Sequence, residues 1–197
     1  MKRLFDFLMS LIAIIVLSPV ILITAFAVKF TSPGPILFKQ RRIGKDNVEF
    51  EIYKFRTMRI DTPNVPTHLL ENPEQWITPI GKFLRKTSLD ELPQLFNILK
   101  GEMSIVGPRP ALYNQLDLRD MRKQAGVHTL VPGLTGWAQI NGRDEIPLSL
   151  KVRLDKEYLD RASFWFDIKI IFMTVLSVIK SEGVQEGKAK NNNEQVA

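Results

Sequence analysis

Cysteine is absent from the 197 residues. A disulfide framework, a thiolate metal site and a cysteine nucleophile are therefore excluded. The absence fits a reducing compartment without proving one. Histidine is nearly absent: His68 and His128 stand alone and read as packing or surface residues, not as ligands. The chain also lacks an internal repeat, a nucleic-acid-binding motif and any basic stretch interleaved with aromatics, so nucleic acid is not the expected partner. What is present is a formal net charge of +6. Two partners account for it. Anionic headgroups attract basic residues by about 1 kcal/mol each near the surface. A phosphate-rich substrate would need the same charges.

One apolar run is long, from Phe7 to Val28. At roughly 1.5 Å per residue a continuous helix there would be about 33 Å long, enough to cross the hydrocarbon core. Ser18-Pro19 interrupts it. Proline removes a backbone N–H and clashes with the carbonyl four residues back, at about 3 kcal/mol in a straight helix. The serine hydroxyl can bond a nearby carbonyl and widen a bend. Basic residues flank both sides: Lys2 and Arg3 before, Lys29, Lys39, Arg41, Arg42 and Lys45 after. A spanning helix should show that bias on one side only. On the residues alone, a helix that dips in and returns and a kinked spanning helix both stay open. A secretory signal is disfavoured, because Lys29-Phe30-Thr31-Ser32-Pro33 is no cleavage site.

Beyond the run, Thr31-Ser32-Pro33-Gly34-Pro35 reads as a rigid turn. Residues 36–38 and 50–55 read as short strands around an Ile43–Asn47 turn. Residues 59–77 read as a surface loop. The pattern from Thr78 to Leu99 predicts a helix, with Leu89, Leu92, Leu95, Phe96 and Leu99 on its buried stripe and Gly101 as its end. Val106-Gly107-Pro108-Arg109-Pro110 cannot be a regular helix or central strand, and Val131–Trp137 reads as a second stiff loop. Residues 111–125 and Ser149–Arg161 are expected to be helical. Phe164–Ile179 is a strongly apolar helix, too short for a confident span. Either it is a core helix, or it lies in the interface with Phe164, Trp165 and Phe166 at headgroup level.

The chemistry centres on Arg85-Lys86-Thr87-Ser88-Leu89-Asp90-Glu91-Leu92-Pro93. The ordinary reading is a capping box between Ser88 and Glu91. The competing reading takes the adjacent carboxylates as a site. Pro93 would shorten the helix and leave Asp90 at its mouth, held ionised by the helix dipole and a guanidinium. Such a carboxylate can attack phosphorus or, with Glu91, ligate Mg²⁺. A diphosphate would need cations around it, and Lys54, Arg56, Arg85, Arg109 and Arg143 are the candidates. Arg109 is the most pointed, because two prolines and a glycine stiffen the backbone that aims it.

Together these segments resemble the monotopic phosphoglycosyl transferases, the bacterial polyprenyl-phosphate sugar-1-phosphate transferases. The matching stretches are Lys2–Asp6, Ser18-Pro19, Ile52–Met58, Ser88–Gln94, Gly107–Pro110 and Pro132–Arg143, in family order from about Lys2 to Gly183. The chain looks like the minimal form of the family. The resemblance implies a UDP-sugar donor, undecaprenyl phosphate as acceptor, UMP as product, and Mg²⁺. It implies that Asp90 attacks the sugar-bearing phosphorus and that Glu91 serves the metal or protons. Lys54, Arg85 and Arg109 would hold phosphates, and Arg143 would face the nucleotide. It implies a re-entrant helix broken at Ser18 and Pro19, with both ends cytoplasmic at the bacterial plasma membrane. Thr57 stands where many members carry serine, which keeps the hydroxyl. Residues 60–65 resemble capsule-type members, which implies an N-acetylated 6-deoxyhexosamine such as N-acetylfucosamine.

The expected fold is α+β and mostly helical. Residues 1–30 form a re-entrant membrane hairpin, 31–183 a cytoplasmic domain with interfacial helices and a β-hairpin, and 184–197 a disordered tail. A homodimer is compatible with it. Two other functions compete: a Mg²⁺-dependent lipid phosphatase or pyrophosphatase, and a non-catalytic membrane scaffold. Detection of UMP with a lipid-linked sugar separates them.

Overall fold

The computed structural model describes residues 1–63, 72–142 and 146–179. Arg143, His68 and the tail expected over 184–197 lie outside these residues. The described chain is mostly helical with one small antiparallel sheet.

Helix α1 runs from Lys2 to Thr31 with Pro19 inside it. It is one continuous helix where the sequence leads to a helix–break–helix. Pro19 cannot donate to the carbonyl four residues back, that of Ile15. The Ser18 hydroxyl takes its place and donates to that oxygen at 2.8 Å.

The polarity of α1 is inverted relative to a helix of a water-soluble core. Asp6, Ser10 and Thr24 are buried, whereas Leu4, Ile15, Val16, Leu22, Ile23, Phe26 and Phe30 are exposed. A contiguous exposed apolar face of this kind marks contact with a membrane or a partner. The inward face is tied to the rest of the chain at both ends. Near the start, Lys2 Nζ reaches Asp167 Oδ2 at 2.6 Å and Arg3 donates to the carbonyls of Ile98 and Leu99. Asp6 accepts from the Ser104 hydroxyl at 2.8 Å and the Ile105 amide at 3.2 Å. At the far end Arg56 donates to Ser32. Between these ends, Ala13 and Ile14 pack on Ile52, Leu95, Ile98 and Met103. Ile21, Ala25 and Val28 pack with Phe55 and Leu84.

Strands β1 (Leu37–Ile43) and β2 (Glu49–Phe55) form the expected hairpin, with Leu37 opposite Phe55 and Ile43 opposite Glu49. The expected helix from Thr78 to Leu99 is two helices, α2 (Pro79–Thr87) and α3 (Gln94–Lys100). Ser88 is left-handed (φ 57°) and ends α2, a 3-10 turn covers Leu89–Glu91, and Pro93 opens α3. Gly101, at φ 88°, closes α3 as the sequence leads one to expect.

The second stiff loop holds a strand. β3 (Ser104–Val106) pairs in parallel with β4 (Gly133–Thr135). Their glycines make the approach possible: a Cβ on Gly107 would lie 2.4 Å from the Val131 carbonyl oxygen. Then come α4 (Leu116–Gln124), the short α5 (Trp137–Ile140), α6 (Leu148–Arg161) and α7 (Phe164–Ile179). Arg122 of α4 and Asp155 of α6 form a buried ion pair at 2.7 Å. α7 is two-sided. Phe166 and Ile170 pack with Val106 and Tyr158, while Phe164, Trp165, Phe172 and Val175 are exposed. Phe166 is thus a core residue and cannot sit at headgroup level beside Phe164 and Trp165.

Candidate active site

The site forms where β2 ends, α2 turns into α3, and the Gly107–Pro110 loop leaves β3. Each approach has a local cause. Thr78 caps α2 by accepting from the Gly81 amide at 3.0 Å. Gly81 has to be small, because a Cβ there would meet the Thr57 carbonyl oxygen at 2.1 Å. The left-handed Ser88 then turns the chain, and the 3-10 turn carries Asp90 and Glu91 inward. Leu89 and Leu92, on either side of the acids, pack into the cluster formed by Val28, Phe55 and Leu84. The carboxylates therefore sit within a residue or two of side chains that rest on the membrane-type helix.

Glu91 is held by two cations. Its Oε1 accepts from Lys54 Nζ at 2.7 Å and from the Arg109 guanidinium at 3.4 Å. No capping box forms: Ser88 makes no side-chain cap bond, and the Glu91 side chain is committed elsewhere. Asp90 is treated differently. Among the described residues its carboxylate accepts no hydrogen bond, and its ion pair with Lys54 is long, at 3.9 Å. Asp90 is nonetheless only 8% exposed.

These environments push the two acids apart. Burial raises the Asp90 pKa above the usual aspartate range. Lys54 opposes that rise, Glu91 adds to it, and Arg85 and Arg109 oppose it. The sequence reading, in which dipole and guanidinium hold Asp90 ionised, omits the burial that decides the direction. Burial also acts to raise Glu91, but Lys54 and Arg109 more than offset it by charge and hydrogen bonding, and its pKa falls to about 2. Two adjacent carboxylates with divergent pKa values are the pattern of divided roles in a catalytic site.

Arg109 reaches this place because its loop is fixed from three directions. Gly107 N donates to Thr135 O at 2.9 Å, Gly133 N donates to Pro108 O at 2.9 Å, and Arg122 Nη1 donates to the Arg109 carbonyl at 2.8 Å. The stiffness read from Gly-Pro-Arg-Pro is real, but much of it comes from the neighbours. Arg85 Nε donates to the Thr57 hydroxyl at 3.0 Å. The structure thus brings together Asp90, Glu91, Lys54, Arg85 and Arg109. It does not bring Arg56, which is buried against Ser32. Ser18 and Pro19 lie on α1, and Pro19 is exposed. Sequence reasoning missed the Arg122–Asp155 pair, whose members are too far apart in the chain for spacing to signal them. It also missed the role of Thr57 in holding Arg85.

The donor set fits a hard cation beside a diphosphate. Two neighbouring carboxylates offer oxygen, and among the described residues no group of three candidate ligands exists. Most of the shell would have to come from phosphate oxygens and water, which is the habit of Mg²⁺.

Known proteins share this arrangement of sequence. The family described as bacterial sugar transferase matches residues 1–181. The chain is 45% identical over 186 residues to the uncharacterized sugar transferase EpsL of Bacillus subtilis (strain 168), covering 94% of this chain and 91% of that protein. It is 40% identical over 197 residues to the exopolysaccharide production protein ExoY of Sinorhizobium fredii, covering 92% and 87%. It is 43% identical over 183 residues to the UDP-glucose:undecaprenyl-phosphate glucose-1-phosphate transferase of Escherichia coli (strain K12), covering 89% of this chain but 39% of that larger protein. The cluster of acids and cations around Asp90 and Glu91, built beside an inverted apolar helix, thus belongs to a member of the bacterial sugar transferase family.

Proposed function

We propose that the chain transfers sugar-1-phosphate from a UDP-sugar to undecaprenyl phosphate, releasing UMP, through a covalent intermediate on Asp90. This would be the first membrane step in capsule or glycoconjugate assembly. The observation that carries the reading is the asymmetry of the acidic pair. Glu91 is immobilised by Lys54 and Arg109, whereas Asp90 is buried with few partners. A carboxylate with few hydrogen bonds to break is suited to attack, and one locked by two cations is suited to orient them.

In the first step an Asp90 oxygen forms a bond to the sugar-bearing phosphorus. The bond from that phosphorus to the bridging oxygen breaks, and the electron pair leaves on UMP. In the second step an oxygen of the lipid phosphate bonds to the same phosphorus, and the Asp90 carboxylate departs unchanged. Lys54, Arg85 and Arg109 stabilise the charge that gathers on the phosphoryl oxygens. Glu91 keeps Lys54 and Arg109 in place. Arg143 is assigned to the nucleotide. Mg²⁺, held by Asp90 and Glu91, would supply charge neutralisation to the diphosphate.

The same reading assigns the membrane geometry. With both ends of α1 bound to one domain and its outer face apolar, the helix enters one leaflet and returns without losing its helical backbone, the Ser18-Pro19 step supplying a bend and not a break. The domain then lies on the cytoplasmic face of the bacterial plasma membrane. The exposed side of α7, with Phe164 and Trp165, rests at the interface. The donor follows from UMP release measured across UDP-sugars, an N-acetylated 6-deoxyhexosamine being the expected one.

Substitution, pH dependence and metal removal test this. Asp90→Asn should lose at least about three orders of magnitude in UMP release, because a neutral amide cannot attack phosphorus. Native protein given a UDP-sugar without lipid should carry a phosphosugar adduct on Asp90 by mass spectrometry, and near-native turnover by the variant would refute the assignment. The acid limb of the pH–rate profile should lie above the ordinary aspartate value of about 3.9. Since Lys54 lowers the Asp90 pKa, Lys54→Met should move that limb to still higher pH, on a reduced rate; a limb that stays or moves down contradicts the electrostatics. Excess EDTA should abolish turnover and added Mg²⁺ should restore it, whereas full activity in EDTA would remove the metal from the scheme.

A further inference from the structure

Arg56 belongs by sequence with the phosphate-binding cations, yet it is only 4% exposed and turned away from them. One nitrogen, Nη2, donates to both the carbonyl and the hydroxyl of Ser32, each at 2.7 Å. Among the described residues its Nε and Nη1 have no hydrogen-bond partner and no carboxylate pairs with it. A buried guanidinium in that state is a costly choice. An apolar side chain of similar length would fill the space without desolvating a charge. The fold even makes room for it. A Cβ on Gly34 would stand 2.3 Å from Arg56 Nη1, and Gly34 adopts φ +118°, so glycine is required there twice over.

The neighbours of Arg56 indicate what the contact achieves. Lys54 bonds Glu91. Phe55 packs with Val28 of α1 and Leu84 of α2. Arg56 grips Ser32, the residue that follows the last turn of α1. The Thr57 hydroxyl holds Arg85. Four consecutive residues thus join the carboxylate site to the inner face of α1 and to its exit. The backbone repeats the link, since Arg56 N donates to Ile36 O at 3.0 Å.

We propose that Arg56 is a positioning residue that fixes the depth of the Asp90–Glu91 site relative to the exit of α1. It thereby governs transfer to a membrane-embedded phosphate acceptor and leaves attack on the soluble donor unaffected. The proposal rests on the two-step reading above. Only the second step needs the reacting carboxylate at the level of a phosphate held in the bilayer. Misplacement by about 1 Å is enough to cost roughly 100-fold in such a step.

The test compares Arg56→Met, and the milder Ser32→Ala, with native protein in nanodiscs. Single-turnover UMP release without lipid should stay within about threefold of native. Transfer to undecaprenyl phosphate should fall at least about tenfold for Arg56→Met, and less for Ser32→Ala, which keeps the carbonyl contact. Transfer to a short, water-soluble prenyl phosphate should match native, because a soluble acceptor finds the site at any depth. Equal losses on both acceptors, or no loss on either, overturn the proposal. Native protein that releases no UMP would instead sink the transferase reading, and depth still decides the proposal. A spin label on Phe96→Cys, exposed on α3 just after the acids, should shift along the membrane normal by about 3 Å or more, half a helical turn, when Arg56→Met is added. An unchanged depth refutes the role of Arg56.

Discussion

Arg3 on the carbonyls of Ile98 and Leu99, and Arg56 on Ser32, hold the two ends of one apolar helix against a single small domain. Most of the structure depends on that double attachment. It dictates why α1 buries Asp6, Ser10 and Thr24 and turns its large aliphatic side chains outward. Asp6, with Lys2 and Arg3 beside it, makes the contacts that fix the start of the helix, and the large apolar side chains are left for a nonpolar surrounding. The attachment also reaches the chemistry. Arg3 grips the last turn of α3, and the turn just before α3 carries Asp90 and Glu91. Arg56 grips the end of α1 from the strand that supplies Lys54.

Within the site, a division of labour arises from ordinary electrostatics. Burial alone would raise both acids. Lys54 lies 2.7 Å from Glu91 and 3.9 Å from Asp90, and Arg109 contacts Glu91. That small difference in distance commits Glu91 to its cations and leaves Asp90 desolvated with little compensation. The two neighbouring acids thus sit in different electrostatic surroundings although they are adjacent in the chain.

Much of the site is legible in the sequence because its residues sit in short, stiff segments. Gly107-Pro108-Arg109-Pro110 restricts its own backbone, and the aim of Arg109 at Glu91 follows. Lys54 is the penultimate residue of a strand, β2, that the sequence already marks out. Where the reading fails, the deciding contact is made elsewhere in the chain. The split between α2 and α3 depends on a left-handed Ser88, a conformation that serine does not advertise. The parallel pairing of β3 with β4 joins two three-residue segments that carry no strand period, and close glycine contacts permit it. Arg56 has the same type and neighbourhood as Lys54, and only tertiary packing sends one to the carboxylates and the other to Ser32. Phe166 sits in an aromatic triplet, but the helical period sends it to the core and leaves its two predecessors outside.

The central claim is that α1 enters and leaves the membrane on the side where the catalytic domain lies. The absence of native cysteine makes thiol labelling unambiguous. One cysteine would be inserted between Met1 and Lys2, and in a second protein Lys45, exposed beyond β1 at the hairpin turn, would become cysteine. With an impermeant thiol reagent on intact bacterial cells, both positions should stay unlabelled, and both should label after lysis. Labelling of the N-terminal cysteine from outside, with Lys45→Cys still protected, would show a helix that spans the bilayer and would contradict the account.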